Sequence, residues 1–382
     1  MSNIQWLYIG VDFGGTNTDA VVLRKKEVLC SAKVPTTEDV TSGISEAIQS
    51  ALSQLPEEYR PNPTQQVARV NIGTTHFVNA VIQRKFLTKV AVLRLCGPAT
   101  RAIPPLCDFP ANLRNVFAGM HFFLNGGFQD DCSCITDVDE EEVKRIANKV
   151  HLAGIRNAVI VGVFSPASKK QEVQVAEIIR SAHPDMSVTL SYEVGLIGLL
   201  GWENAAVVNE SLKPLSKKTV TAFFEALRTL GLKCPFYLTQ NDGTIISAEQ
   251  ALHLPVLTFA SGPTNSMRGA AFLSGVQDAI VIDIGGTTTD VGVLKGGFPR
   301  QASARVKIGG VNTNFQMPDV LSVGLGGGTV TEQTQEAITV GPSSVAALVF
   351  GGKIITSTDI AVAFGLCEIG DKERTKDIPE VI

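Results

Sequence analysis

The chain has 382 residues, of which 44% are hydrophobic and 18% charged, with a formal net charge of −4 at pH 7. This length and hydrophobic content predict two packed domains, and the absence of a long basic run argues against a nucleic-acid partner. No apolar run approaches the roughly 20 residues of a membrane-spanning helix, and residues 1–5 lack the blocks of a signal peptide, so we expect a cytoplasmic protein without a membrane partner.

Strands and helices alternate in the first half of the chain. Two apolar runs, 6–11 and 20–23, flank a glycine turn and predict a β-hairpin, and residues 39–55 have the spacing of an amphipathic helix. Residues 96–135 are rich in proline, asparagine and glycine, and we interpret them as an insertion. The other elements that we expect are strands at 27–34, 69–72, 89–95, 157–164 and 187–190 and helices at 76–84, 139–153 and 169–182.

The second half opens with residues 194–230, for which we predict two helices divided at Pro214. A second apolar hairpin is predicted at 279–282 and 291–294, again around a glycine turn. The remaining predicted elements are strands at 236–239, 244–246, 303–308, 319–323 and 337–340 and helices at 262–273 and 358–364. We therefore expect an α/β protein of two similar domains, 1–190 and 191–382, with a cleft between them.

The two glycine turns are copies of one pattern. Residues 12–19 are Asp-Phe-Gly-Gly-Thr-Asn-Thr-Asp and residues 283–290 are Asp-Ile-Gly-Gly-Thr-Thr-Thr-Asp, so that six of the eight positions are identical. Gly-Gly at a hairpin tip lets backbone N–H groups approach a phosphate without a Cβ in the way. One such turn would be an ordinary hairpin turn, but the duplication indicates a pair that binds the phosphates of a nucleotide. The pattern is not a Rossmann dinucleotide fingerprint, because no helix follows the glycines directly. It is not a Walker phosphate loop either, because the Gly-Lys-Ser/Thr sequence is missing.

The acidic residue that ends the first strand of each hairpin, Asp12 or Asp283, is a candidate Mg²⁺ ligand and catalytic residue. Asp19 and Asp290 close the hairpins, and we expect them to be structural. A third glycine cluster at 324–329 is expected to pass close to the adenine and ribose, with a flexible turn as the alternative. The residues that we predict to bind the nucleotide are Gly14, Gly15, Thr16, Asn17, Thr18, Gly285, Gly286, Thr287, Thr288, Gly326, Gly327 and Gly328.

Two loop-to-helix junctions offer further site residues. Gly73-Thr74-Thr75, with Asn79 one turn on, precedes a predicted helix, as does the segment 261–266. Free N–H groups at a helix start suit an anion or a polarised carbonyl, so Thr74 and Thr75 are candidate catalytic residues, and a simple helix N-cap is the alternative.

Other polar residues carry weaker signals. Glu193, Glu203 and Asn204 interrupt an apolar stretch and face either the cleft or solvent. Cys132 and Cys134 form a Cys-Ser-Cys pair without a second pair at zinc spacing, and we interpret them as reduced loop thiols.

Together these motifs resemble the hydantoinase/oxoprolinase family, A-type subunit. The matching segments are 10–19, 73–75 with Asn79, 241–243, 261–263, 283–290 and 323–328. The resemblance assigns 1–190 to the family's N-terminal domain and 191–382 to its central domain. That family is similar to the actin, sugar-kinase and heat-shock ATPase superfamily, which implies two ribonuclease-H-like domains with an interdomain nucleotide cleft.

The resemblance implies a hydrolase that uses ATP and Mg²⁺ to open a cyclic amide such as hydantoin or 5-oxoproline, or the ATPase subunit of such an enzyme. Related members are ATP-using subunits of ketone carboxylases. The chain departs from the family pattern at Ile72, His76 and Leu321, positions that the resemblance associates with the substrate. We therefore expect ATP binding and a lactam-like substrate, and the departures argue against hydantoin itself. Because relatives continue beyond the glycine cluster, we expect a second subunit or a further C-terminal domain to complete the site, and little ring opening by this chain alone.

Two other functions stay open at this point. A small-molecule kinase of the same fold would need a carboxylate base beside a substrate hydroxyl. A non-catalytic nucleotide-binding partner would regulate or reactivate another protein. Phosphate release with and without lactams separates the second of these from an amidase, and a phosphorylated product would identify the kinase.

Overall fold

The computed structural model describes residues 6–14, 17–37, 39–302, 305–333 and 338–378. The chain divides into two compact units, a first of Met1–Asn265 with Gln301–Met317 and a second of Ser266–Arg300 with Pro318–Ile382. These boundaries differ from the predicted division at residue 190, which stays a prediction about the domains. Across the described ranges, none of the helices combines the length and apolar character needed to span a bilayer.

The helices and strands alternate in the first unit, whereas strands predominate in the second. The strands are β1 (Leu7–Phe13), β2 (Asn17–Arg24), β3 (Glu27–Pro35), β4 (Val67–Thr74), β5 (Val90–Leu95), β6 (Ala118–Leu124), β7 (Asn157–Gly162), β8 (Ser187–Leu190), β9 (Phe236–Thr239), β10 (Ile245–Ser247), β11 (Ala279–Ile284), β12 (Thr289–Lys295), β13 (Phe298–Pro299), β14 (Val306–Ile308), β15 (Val311–Thr313), β16 (Val320–Val323), β17 (Thr329–Gln333) and β18 (Ile338–Ser344). The α-helices are α1 (Val40–Ser53), α2 (His76–Gln83), α3 (Ala111–Phe117), α4 (Glu140–Leu152), α5 (Lys170–Ala182), α6 (Leu199–Thr229), α7 (Ala248–His253), α8 (Ser261–Ser274) and α9 (Ser357–Ala363).

The first sheet contains the first glycine hairpin. Its strand order is β10-β9-β4-β1-β2-β3, in which β1, β2 and β3 are antiparallel neighbours and β4 runs parallel to both β1 and β9. Alternate residues of β1, namely Ile9, Val11 and Phe13, are buried in one apolar cluster with residues of α1 and α6. The sheet therefore has one face covered by helices, and the carboxyl ends of β1 and β4 lie side by side.

A second sheet in the first unit is parallel throughout, in the order β6-β5-β7-β8. Every residue of β5 and β7 is buried, as expected for strands covered on both faces. One face packs against α4 and α5, and Val159 and Val161 on the other face share a cluster with residues of α6. Residues 96–135, which we interpreted as an insertion, contain α3 and the sheet strand β6, two elements that were not predicted.

The long helix α6 corrects a second prediction, since it continues through Pro214 instead of dividing there. Proline has no N–H for the carbonyl of Glu210 four residues earlier. The side-chain amide of Asn157 donates to that carbonyl over 3.4 Å and to the Glu210 carboxylate over 2.8 Å. A tertiary hydrogen bond thus replaces the one that proline removes.

The second unit contains the second glycine hairpin, β11 with β12, and β12 also pairs with β13 and β16. Met267 and Ala271 of α8 pack against Ala279 and Val281 on one face of this sheet. The antiparallel pair β17 and β18 and the helix α9 complete the described part of the unit. The predicted strands at 303–308 and 337–340 are present in part as β14 and β18, while residues 303, 304 and 337 lie outside the described residues.

Candidate functional site

The first glycine turn ends β1 at the half-buried Asp12. The backbone N–H of Gly14 donates to the carbonyl of Asn17 over 3.1 Å and closes the turn. From outside the turn, the hydroxyl of Thr36 donates to the carbonyl of Gly14 and also lies 3.0 Å from the hydroxyl of Thr18. Thr18 is fully buried, which favours a supporting role for its side chain.

Two predicted ligand positions of the first turn, Gly15 and Thr16, lie outside the described residues, so that their contacts stay predictions. Asp19, opposite Asp12 in the strand register, forms an ion pair with Lys33 of β3 at 3.0 Å. That contact agrees with the structural role expected for Asp19.

Asp12 meets two other segments of the first unit at the end of the sheet. In the parallel register of β1 and β4, Asp12 lies beside Gly73. A Cβ built on Gly73 would lie 2.1 Å from the side-chain nitrogen of Asn265 and 3.0 Å from an oxygen of Asp12. Only glycine leaves room for this approach, so Asp12 and Asn265 converge over the Gly73 backbone.

The junction after β4 is fixed by a buried serine at the start of α8. The hydroxyl of Ser261 accepts from the N–H of Thr74 at 2.8 Å and donates to the carbonyl of Thr74 at 2.7 Å. The Thr74 hydroxyl accepts from the N–H of His76, and the hydroxyl of Thr75 accepts from the side-chain amide of Asn79. Both loop-to-helix junctions chosen from the sequence therefore form one cluster, in which Thr75 is the N-cap residue of α2 and Thr74 accepts from the first N–H of the helix.

His76 is a titratable group of this cluster, and its pKa departs from its ordinary value. Burial lowers the pKa of His76, and the positive charge of Lys218 lowers it further. A neutral imidazole is therefore favoured at the start of α2, where an additional positive charge would oppose the helix dipole.

The second glycine turn repeats the geometry of the first. The N–H of Gly285 donates to the carbonyl of Thr288 over 2.8 Å, the counterpart of the bond that closes the first turn. Residues 285–288 are exposed, and a Cβ built on Gly286 would meet no atom within 4 Å. Asp283 is half-buried at the end of β11, and Asp290, opposite it, accepts from the hydroxyl of Ser322.

The third glycine cluster lies directly against this second turn. The N–H groups of Gly327 and Gly328 donate to the carbonyls of Gly285 and Gly286 over 3.0 and 2.7 Å. A Cβ built on Gly326 would lie 2.6 Å from the carbonyl oxygen of Gly285. The cluster therefore fixes the second turn from behind, a connection that the sequence did not indicate.

Other residues noted in the sequence lie elsewhere. Glu203 is fully buried and forms an ion pair with Arg94 at 2.7 Å. Asn204, equally buried, donates to the carboxylate of Asp108, so both have structural partners. Glu193 is exposed, and Cys132 and Cys134 are exposed free thiols. Thr36 and Lys218 were missed, because no motif marks them.

The donor set fits Mg²⁺ and phosphate chemically. The carboxylates of Asp12 and Asp283 are the hard oxygen ligands that Mg²⁺ prefers. The open backbone at residues 286–288 offers N–H groups to anionic oxygens. Each unit thus contains one such acidic residue and one glycine turn.

Known proteins share both the sequence and the fold. The hydantoinase/oxoprolinase N-terminal region matches residues 8–183, and the hydantoinase/oxoprolinase region matches residues 203–371. The acetophenone carboxylase gamma subunit of Aromatoleum aromaticum is 26% identical over 94% of this chain and 53% of its own length. The caprolactamase subunit alpha of Pseudomonas jessenii is 25% identical over 94% of this chain and 54% of its own.

A solved structure, that of the ATP-dependent caprolactamase from Pseudomonas jessenii, has the same fold. It superposes with a TM-score of 0.73 at 23% identity and covers 95% of this chain and 55% of the other. The chain thus spans about half the length of the curated relatives that it matches. The motifs, the mixed α/β fold and the two matched regions agree, and this chain belongs to the hydantoinase/oxoprolinase family.

Proposed function

We propose that this chain is the ATP-binding part of an enzyme that opens a lactam at the expense of ATP. The observation that carries the proposal is the repeated turn, closed in both copies by the same backbone hydrogen bond and preceded in both by an aspartate. Each turn suits the phosphate oxygens of a nucleotide, and Asp12 and Asp283 are the candidate Mg²⁺ ligands. In this assignment the glycines of 326–328 position the second turn.

ATP would supply a phosphoryl group that makes the amide carbon of a lactam a better electrophile. The residues of this chain would position that reaction and neutralise its charge. The first turn of α2, with the hydroxyl donors of Thr74 and Thr75, suits the polarised carbonyl oxygen of the lactam. The neutral form of His76 leaves this corner without an additional fixed cation.

The relatives support an ATP-dependent reaction on an amide and an assembly of several chains. One of them is the alpha subunit of a caprolactamase, and the caprolactamase of known structure is an ATP-dependent enzyme. We propose a lactam of the 5-oxoproline or caprolactam type as substrate, and a second subunit or further domain that completes the substrate side.

A second candidate follows from the carboxylase relative, which is as similar in sequence as the caprolactamase. The same phosphate site would then activate the substrates of a ketone carboxylation. The two candidates predict different dependences of ATP hydrolysis on added substrate.

The test is ATP-coupled phosphate release, first without substrate, then with 5-oxoproline, hydantoin or ε-caprolactam, and then with acetophenone and bicarbonate. We expect phosphate release that a lactam stimulates only weakly in this chain alone, because the substrate side is incomplete. Asp12→Asn and Asp283→Asn should each reduce the release by roughly 100-fold, since each removes a metal-positioning charge. Asp19→Asn is the matched control, because its carboxylate pairs with Lys33 instead. Stimulation by acetophenone with bicarbonate alone would favour the carboxylase, and equal losses in the control would refute the assignment.

A further inference from the structure

The sheet of the second unit, which contains β11, β12 and β16, exposes an apolar face. Ile280, Ile282 and Ile284 of β11 are 70%, 60% and 71% exposed. Across β12, the register brings Leu321 and Val323 of β16 onto the same face, and these are 65% and 44% exposed. We call these five residues the open face. So many large apolar side chains on one sheet surface mark an interaction site.

The duplicated hairpin shows what such a face normally contacts. Aligning Asp12 with Asp283 places Ile9, Val11 and Phe13 opposite Ile280, Ile282 and Ile284. The three residues of the first copy are at most 4% exposed and belong to a cluster that includes α1 and α6. Phe13, for example, lies 6.4 Å from the ring of Phe223 in α6. The second copy keeps the apolar pattern but, within the described ranges, lacks the helices that cover it.

The strand β11 also has fewer described neighbouring strands than its counterpart β1 in the first hairpin. In the first copy, β1 pairs with β2 on one side and with the parallel strand β4 on the other. In the second copy, β11 pairs with β12, and no other described strand lies beside it. Its outer N–H and C=O groups are available to another strand.

The likeness between the two copies decides which occupant fits. A second molecule of this chain would place another exposed sheet face against the open face. The equivalent surface of the first hairpin is instead covered by helices and extended by a parallel strand. The relatives, two of which are subunits by name, are about twice as long as the part that this chain covers. They therefore contain further polypeptide of a size sufficient for a strand and its covering helices.

We propose that the open face binds a partner polypeptide, which packs an amphipathic helix on Ile280, Ile282, Ile284, Leu321 and Val323 and adds a strand parallel to β11. The recognition is apolar on the face and through backbone hydrogen bonds along the edge. The partner helix should carry apolar residues at positions i, i+3, i+4 and i+7. This assembly is independent of the role proposed for the glycine turns.

The probe is the part of the Pseudomonas jessenii caprolactamase subunit alpha outside its alignment with this chain, co-expressed with the full 382-residue chain. We expect a 1:1 complex by light scattering, with amide exchange at 279–284 slowed at least tenfold relative to the chain alone. Ile282→Asp should weaken the complex by at least 100-fold, and Leu321→Asp should do the same from β16, on the other side of β12. Ile197→Asp, at an isoleucine that is 84% exposed in the first unit, is the matched control.

Several results would overturn the proposal. One is the absence of a complex with this segment, and another is a complex that Ile282→Asp and Ile197→Asp weaken equally. A homodimer of the chain alone that Ile282→Asp dissociates would assign the open face to a second copy. Protection of residues 279–284 in the lone monomer would show that the chain covers the face itself. Thermal unfolding of each variant verifies that folding is retained.

Discussion

Alanine at Gly326 tests whether the third glycine cluster positions the second phosphate turn. The new Cβ would lie 2.6 Å from the carbonyl oxygen of Gly285 and 2.8 Å from the carbonyl carbon of Gly286. Both are backbone atoms, so relief of the clash has to move the turn. The movement would stretch the hydrogen bonds that Gly327 and Gly328 donate to those two residues.

The expected cost combines two effects. Overpacking of this kind costs about 1–3 kcal/mol, and each weakened hydrogen bond adds about 1 kcal/mol. The total for Gly326→Ala is about 3–5 kcal/mol, only slightly offset by the reduced freedom of the unfolded chain. If ATP binding has to restore the turn to its original position, about 3 kcal/mol of binding free energy is lost. At about 1.4 kcal/mol per factor of ten, the variant should bind ATP roughly 100-fold more weakly.

Gly286→Ala is the matched variant in the turn itself. Its methyl group would meet no atom within 4 Å, so stability should change by no more than about 0.5 kcal/mol. The methyl would, however, enter the space that we assign to a phosphate, and ATP affinity should fall about tenfold. Calorimetric titration with ATP and Mg²⁺ and denaturant unfolding measure the two effects. Wild-type ATP affinity in both variants would refute the reasoning.

Two further predictions concern the buried charges of the first unit. Burial raises the pKa of Glu172 to about 6 from 4.5; because the folded-state pKa is the higher one, this group's stabilisation is full below pH 4.5 and is lost as pH rises through 6, a change of about 2 kcal/mol. Unfolding of Glu172→Gln between pH 4 and 7 should lack that component, and an unchanged profile would contradict it. Arg94→Met should cost about 3–5 kcal/mol in urea unfolding, because it leaves Glu203 buried without its partner, and Arg94→Met with Glu203→Leu should recover most of the loss; equal stability of the single and double variants would contradict this interpretation.

The hairpins could be predicted because their signal is local. Apolar strands alternate around glycine turns, and the two copies support each other, so β1 with β2 and β11 with β12 were found where expected. The predicted fold class is confirmed as mixed α/β with parallel strands. Whether the two domains have the ribonuclease-H-like arrangement of actin stays a prediction.

The errors have physical causes outside the local sequence. Strand β6 lies at the edge of its sheet, and six of its seven residues are exposed or only half-buried, so its apolar signal is weak. The helix α6 passes Pro214 because Asn157, distant in sequence, replaces the missing hydrogen bond. Neither the edge position of β6 nor the hydrogen bond from Asn157 can be deduced from the residues close in sequence to the element concerned.

The candidate site was predictable in its parts but not in its assembly. Asp12, the junction at 73–75 and the segment at 261–266 were each chosen for their residue types. That Asp12 and Asn265 meet over Gly73 depends on the parallel register of β1 and β4. The contact of the glycine cluster with Gly285 likewise required the tertiary structure.

Calorimetric titration of the full chain with ATP, with and without Mg²⁺, tests the central claim most directly. We predict Mg²⁺-dependent binding at one nucleotide per chain, weakened at least tenfold by Asp12→Asn and by Asp283→Asn and unchanged by Asp19→Asn. Folded protein that binds no nucleotide, or binding that is the same in all three variants, would contradict the assignment of the repeated turns to ATP.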